Sequence, residues 1–479
     1  MSNVKEETIR GIKWGLLQKC TMQPIQLIYG MVLARLITPA EMGIVGLTAI
    51  FFAIAGQLAN AGFGAALVRK IDRTEEDCCT MFWFNITASF VVSSILFLLA
   101  PWFTRFYNQP ELLWLTRISA INMFIGSTSN VHWTLYQCRR DFKTPAIVSC
   151  ITTLAGMPVC LILAWKGWGV WALMWQGVFV SLLSLAIIWI ISPWKPKFNF
   201  AMASFCELFG FGSKLASSGI IHVLYIQART FIIGKFYSPN QLGLYSRSEH
   251  LASVLPHTIS GMLSSVTYPI LSTLQNDNER LTNVYRKYIK VSSLIIAFTT
   301  LATVSLAEPA ILLLYGENWL PCAIFLKIVA IAYGTEHISS INLNLLMVKG
   351  RSDLFLRLEI IKKTISITML LYAATISVEA ICWSTAIYSQ IAIFINTYYT
   401  KKILNLTWRK QQADYLCYFI KAALACIPAW LCTYTEWSSI WQLLVGGCVA
   451  SLLYFLPLYL QKDDTFIELL HSIKKYKRS

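Results

Sequence analysis

Apolar stretches long enough to cross a hydrocarbon core of ~30 Å recur from one end of this 479-residue chain to the other. The spacing predicts spans over residues 12–34, 42–66, 79–103, 112–137, 145–165, 168–191, 209–235, 242–271, 288–307, 320–348, 354–376, 379–400, 414–434 and 440–460. Only 13% of the residues are charged, against about a quarter in a soluble domain, too few to cover a water-facing surface. In lipid each segment must satisfy its own backbone hydrogen bonds, which makes segments of this length helices. The expected fold is an all-α integral membrane protein of about fourteen transmembrane helices. Beyond them, residues 461–479 form a polar, basic tail. Its Phe466, Ile467, Leu469, Leu470 and Ile473 have the spacing of a short amphipathic surface helix.

A net charge of +16 invites comparison with nucleic-acid binders, but the positions of the charges point elsewhere. Lys and Arg gather in alternate short turns: Lys5, Arg10 and Lys13; Arg69, Lys70 and Arg73; Arg139, Arg140 and Lys143; and so on to Lys474, Lys475, Lys477 and Arg478. The other turns hold only Arg35, Arg105, Lys166 and Lys235. By the positive-inside rule both termini are expected in the cytoplasm of a multi-pass inner-membrane protein, with no nucleic-acid partner. The first residues lack the compact apolar core and cleavage site of a removable signal peptide. The thirteen cysteines are scattered, with no C-x-x-C, so neither a disulfide framework nor a metal site is expected.

A repeat recurs at a spacing of 200 residues. Arg35-Leu36-Ile37-Thr38-Pro39-Ala40-Glu41-Met42-Gly43-Ile44 matches Lys235-Phe236-Tyr237-Ser238-Pro239-Asn240-Gln241-Leu242-Gly243-Leu244. Each reads as a helix start: a hydroxyl cap, Pro at the first helical position, and Glu or Gln three residues after the cap. The third spans end alike, at Ala100-Pro101 to Tyr107 and Glu308-Pro309 to Tyr315. Six spans separate the copies, so both halves are expected to run in the same direction across the membrane. The expected organisation is a six-helix lobe over 1–197, a parallel six-helix lobe over 198–405, an extra helix pair over 406–462 and a cytoplasmic basic tail over 463–479.

Charges inside a bilayer cost about 2.5–3.5 kcal/mol on insertion scales and so face protein or water. Several spans carry them at helical spacing. Lys19, Gln23 and Gln26 share a face of the first span; Arg117 and His132 lie on the fourth; His222 and Arg229 on the seventh; Arg247 and His257 on the eighth; Lys327 on the tenth. These ten are the candidate substrate-binding residues of a hydrated cavity. Interhelical hydrogen bonds are the competing reading for the deeper ones, and snorkelling for Arg247 and Lys327. Acids are few, so the interior is net cationic and suits an anionic cargo such as a pyrophosphate. Glu249 with His250, and Glu336 with His337, are adjacent titratable pairs and the candidates for ion coupling. Gly210-Phe211-Gly212-Ser213-Lys214 is glycine-rich but has the wrong spacing for a phosphate loop. Transport is then expected to run on an ion gradient, the membrane potential or the cargo gradient, with no cofactor.

Five motifs, in order, carry a family resemblance: Leu33-Ala34-Arg35-Leu36-Ile37-Thr38-Pro39-Ala40-Glu41-Met42-Gly43, Asn60-Ala61-Gly62-Phe63-Gly64-Ala65-Ala66-Leu67-Val68, Gly243-Leu244-Tyr245-Ser246-Arg247, Pro269-Ile270-Leu271-Ser272 and Tyr315-Gly316-Glu317-Asn318-Trp319. With them the chain resembles the polysaccharide flippases of the multidrug/oligosaccharidyl-lipid/polysaccharide superfamily, nearest the Wzx-type, colanic-acid-exporter-like branch. The resemblance covers nearly the whole chain and weakens after about residue 405. It implies alternating access, a cationic central cavity for the diphosphate-sugar head of an undecaprenyl-linked oligosaccharide, and a C-terminal helix pair beside the lipid tail. Membrane lipids and other polysaccharide-assembly proteins are the implied partners, and no enzymatic activity is implied. Two alternatives remain at this point: an ion-coupled drug exporter of the same superfamily, and a membrane polysaccharide polymerase or ligase. The short outer connections, which gather no paired carboxylates, speak against the second.

Overall fold

The computed structural model describes residues 2–476, with side chains at 14, 18, 21–261, 267, 270–351 and 353–471. All regular structure among them is helical. The chain divides into two compact units, Met1–Gly243 and Leu244–Ser479. Helices α1 (Ser2–Leu36), α2 (Pro39–Asn60), α3 (Phe63–Arg69), α4 (Glu75–Tyr107), α5 (Leu112–Ser127), α6 (Asn130–Cys138), α7 (Lys143–Trp165), α8 (Val170–Ile191) and α9 (Met202–Phe236) build the first unit. It also holds the opening residues of α10 (Pro239–Thr273). The second continues with α11 (Asn278–Ser305), α12 (Ala307–Leu314), a single 3₁₀ turn, α13 (Cys322–Gly334), α14 (Glu336–Val348), α15 (Ser352–Ala373), α16 (Val378–Leu404), α17 (Trp408–Cys432), α18 (Ser439–Leu460) and α19 (Asp464–Tyr476). Among the described residues ten segments are long and apolar enough to cross a membrane: α2, α4, α7, α8, α9, α11, the α13–α14 pair, α16, α17 and α18.

In the first unit α4 packs along α5, α5 along α8, and α7 along α8 and α1, while α9 lies against α2, α3 and α4. The expected caps form. Thr38 accepts the Glu41 amide while the Glu41 carboxylate accepts the Thr38 amide at 2.8 Å, and Thr74 and Asp77 make the same reciprocal box on α4. The span expected over 42–66 is two helices, because Ala61 (φ 42°) and Gly62 (φ 72°) both turn left-handed. Gly62 is required twice over. It adopts that turn without strain, and a β-carbon there would sit 2.9 Å from the Gly212 Cα on α9. Gly212 belongs to the glycine-rich run that resembles a phosphate loop, and it serves this close approach. Lys70 locks the corner, bonded to buried Asp77 at 3.0 Å and to Glu207 at 2.8 Å.

The two copies of the repeat motif meet. A β-carbon on Gly43 would overlap the Pro239 carbonyl, and one on Gly243 would overlap the Pro39 carbonyl. The α2 and α10 starts therefore cross backbone to backbone, with each glycine facing the other copy's proline.

The second unit is held by polar bonds as well as packing. Asn342 on α14 receives hydrogen bonds from Tyr285 on α11, from Thr400 on α16 at 3.0 Å and from Gln411 on α17 at 2.9 Å. Arg286 grips buried Asp414 bidentately at 2.7 and 2.8 Å, and Lys290 stands 3.6 Å from the same carboxylate. These bonds anchor α17 on α11. The tail helix α19 turns its apolar face to its own unit: Phe466 is buried, with Leu469 and Leu470 beside the Tyr418–Tyr454 cluster. Lys421 and Asp463 approach to 3.7 Å nearby.

Both expected fourth spans, 112–137 and 320–348, are broken at their middles. At the α5–α6 break Ser127 and Thr128 bond back to the Phe124 and Ile125 carbonyls. At the α13–α14 break Thr335 does the same to Ala332. Such hydroxyls compete with the helical ladder.

Candidate functional site

The α13–α14 break organises a titratable cluster in the second unit. It leaves Tyr333 on the last turn of α13 and Glu336 on the first turn of α14, where the helix N-terminus favours a negative charge. Thr335 between them is pinned from α16 by Ser389 and Gln390, both at 3.2 Å. Across from the break, α10 brings Tyr245, Glu249 and His257. Glu249 accepts hydrogen bonds from Tyr333 at 3.0 Å and Tyr245 at 3.1 Å. His257 Nε2 pairs with Glu336 at 3.0 Å, and its ring meets Tyr333 edge-on at 5.1 Å. The His257 and Glu336 side chains are 55% and 51% exposed, so the pair is open to exchange. A carboxylate–imidazole pair on that footing can take up and release a proton or a small cation.

The adjacent pairs expected for coupling are thus separated. His337 points away from Glu336, is buried, and bonds to Ser293 at 3.0 Å. His250 is exposed, while its neighbour Glu249 is held by tyrosines. Glu336 instead partners His257, 79 residues away in sequence and adjacent only through the fold.

Next to this cluster, two of the resemblance motifs converge. The Arg247 guanidinium lies 5.3 Å from the Tyr315 ring centre, with its Nε buried and without a hydrogen-bond partner. Ser248, one residue on, bonds to the Cys322 carbonyl at 2.9 Å. Lys327 bonds to Glu308 at 2.5 Å.

In the first unit the candidates are more dispersed. His132 is fully buried, bonded to Ser192 at 2.9 Å and flanked by Trp189 and Trp194 at 5.3 Å. Arg117 is half-buried between Phe97 and Trp114. Gln23, Gln26 and His222 are exposed and Arg229 is half-buried. Lys19 lies outside the described side chains. The sequence reading missed Tyr245 and Tyr333, although each sits three or four residues from an acid it serves or borders, the one signal available.

A family described as polysaccharide biosynthesis protein matches residues 32–324. The chain is 25% identical to the succinoglycan biosynthesis transport protein ExoT of Rhizobium meliloti, over 66% of this chain and 64% of ExoT. It is 21% identical to the lipopolysaccharide biosynthesis protein WzxC of Escherichia coli, over 75% of this chain and 74% of WzxC. Among solved structures, the lipid II flippase MurJ in an inward closed conformation superposes with a TM-score of 0.75 at 13% identity, covering 95% of this chain and 99% of MurJ. That likeness is one of fold.

Proposed function

The chain belongs to the polysaccharide biosynthesis protein family, and from that premise we propose that it is a flippase for an undecaprenyl-diphosphate-linked oligosaccharide. It is a transporter and not an enzyme, and it moves its cargo from the cytoplasmic to the periplasmic leaflet of the inner membrane by alternating access. On this reading the chain has fourteen spans in two parallel halves, 1–197 and 198–405, followed by the helix pair 406–462 and the basic tail 463–479. Both termini are cytoplasmic. The broken fourth spans and the reciprocal crossing of the two repeat motifs support that layout.

One observation carries the anionic cargo. The acids within the spans are engaged inside their own unit, Glu249 by two tyrosines, Glu336 by His257 and Glu359 by Lys362 at 2.6 Å. Arg247, by contrast, keeps a buried Nε without a hydrogen-bond partner. A diphosphate offers oxygens to such a guanidinium fork; Lys19 and Arg229 add positive charge on the opening spans of the two halves, and His222 adds a ring nitrogen donor. The His257–Glu336 pair supplies the ion coupling.

The test is polysaccharide export in cells that depend on this protein. A charged hydrogen bond lost from cargo is worth about 1.5–3 kcal/mol, or roughly ten- to hundredfold in rate. Arg247→Ala, Arg229→Ala and Lys19→Ala should each lower export by that factor at unchanged membrane abundance. Arg247→Lys should recover part of it, and Lys421→Ala should export like the parent. Parental export by all three alanine variants contradicts the proposal.

A further inference from the structure

A groove of about 330 Å³ runs between α4 and α5 in the first unit, lined by Phe90, Ser94, Phe97, Leu98, Ile121 and Phe124. That volume is at the lower end of pockets that hold small molecules, ~300–1,000 Å³. Its walls are apolar and outward-facing, with Phe90 60% exposed and Leu98 76% exposed. On a membrane-spanning helix such a face meets hydrocarbon, since a face lining a hydrated path would be polar. One end is closed by Phe90 and Phe124, edge to face at 5.8 Å. Just past the other end, toward the α4–α5 turn, Arg117 stands against the groove-lining Phe97. Its guanidinium carbon lies 4.8 Å from the Phe97 ring centre and 5.1 Å from that of Trp114. The Arg117 Nε is buried without a hydrogen-bond partner, and no carboxylate pairs with it among the described residues. Exposed Trp114 and Trp102 flank that end, the level at which aromatic side chains mark the membrane–water interface.

We infer that this groove is a binding site for one anionic glycerophospholipid, its phosphate on Arg117 and one acyl chain lying along Phe97, Leu98 and Ile121 toward Phe90. The charge and the groove fit one molecule only together. A hydrocarbon chain alone leaves the guanidinium unanswered, and a free anion leaves the groove empty. The phosphate supplies the planar pair of acceptors that an arginine fork matches, and the basic end between helices is the kind of site that selects lipid headgroups. The site rests on the membrane reading alone and is independent of what the protein transports.

Native mass spectrometry of the detergent-purified protein tests it, with added phosphatidylglycerol, phosphatidylcholine or undecaprenyl phosphate. The expected result is one retained phosphatidylglycerol and roughly tenfold weaker retention of phosphatidylcholine. Arg117→Gln, which removes the charge, and Ser94→Trp, which fills the groove, should each lower phosphatidylglycerol retention by a similar factor. Arg105→Gln, a charge at the end of α4 outside the groove, should not. Melting temperatures in lipid-free detergent confirm that the variants are folded. Equal retention of the two phospholipids by the parent protein overturns the inference whatever the variants do. So does retention of undecaprenyl phosphate in preference to phosphatidylglycerol, or unchanged phosphatidylglycerol retention in both variants.

Discussion

Between α5 and α6 the chain leaves the helix at Thr128 and Ser129; between α13 and α14 it does so at Thr335. In each case the first turn of the following helix carries a buried histidine tied to a serine on a neighbouring segment. His132 bonds to Ser192 at 2.9 Å and His337 to Ser293 at 3.0 Å. Beyond this the two regions part company. The second break adds Glu336 at the new helix N-terminus and gathers His257, Tyr333 and Glu249 around it; at the first, the new helix opens on the uncharged Asn130, whose amide donates to Asn60 at 2.6 Å. A shared backbone device therefore carries titratable chemistry on one side only. The interruption of the helix belongs to the architecture, and the ion pair is a local elaboration that exploits it.

The repeat-motif copies at Pro39 and Pro239 show the same division. Backbone geometry is common to both, down to the reciprocal glycine contacts. Electrostatics differ: Glu41 brings a charge to complement the helix N-terminus, whereas Gln241 does not. Lys235 in the second copy donates to the Phe106 carbonyl at 2.8 Å and sits 3.8 Å from the Phe106 ring centre.

The largest expected effect tests that reciprocity. Gly43→Ala and Gly243→Ala each force a β-carbon into backbone that no rotamer change can clear, at a cost of about 3 kcal/mol. The two losses should be equal, read as earlier thermal unfolding through the reactivity of the buried cysteines Cys79, Cys322 and Cys382. Tolerance of alanine at one glycine alone breaks the symmetry of the crossing.

A middle-sized effect concerns the paired histidines. His132→Ala and His337→Ala each empty a packed site and remove a histidine–serine hydrogen bond, at about 2 kcal/mol. If the two breaks are built alike, the melting temperatures fall together. A marked fall for one variant and none for the other shows that the resemblance is superficial.

The smallest effect sharpens the difference between the motif copies. Thr38→Ala removes one arm of a closed capping box and should cost about 1 kcal/mol, while Ser238→Ala should cost nearer to 0.5 kcal/mol. A larger loss at Ser238 in the same melting assay reverses the ranking.

What was legible in the sequence follows from which forces are local. Span positions emerge from apolar runs, and the starts of α2 and α10 from cap, proline and acid or amide within four residues. The breaks in the fourth spans were hidden, because a few hydroxyls among apolar residues barely disturb hydropathy, yet each can take a backbone carbonyl. The left-handed turn at Ala61–Gly62 was hidden for a similar reason, since its cause is the approach of Gly212 on a distant helix. The coupling pair was out of reach as well. Adjacent residues on a helix point about 100° apart, so Glu336 and His337 diverge, and only tertiary packing shows that His257 comes to meet Glu336. Arg286 and Asp414 likewise stand far apart in sequence, with no local pattern to join them.

The most direct measurement is flipping by the purified protein in proteoliposomes, following a diphosphate-linked oligosaccharide of undecaprenol with a probe that reacts only in the outer leaflet. The account predicts protein-dependent flipping that responds to an imposed ion gradient. It also predicts that Glu336→Gln retains a folded protein and loses the gradient response, because the half-exposed pair contributes at most about 1 kcal/mol to stability. Absence of flipping by the folded parent under every gradient, together with export of a cationic drug from the same vesicles, would contradict it.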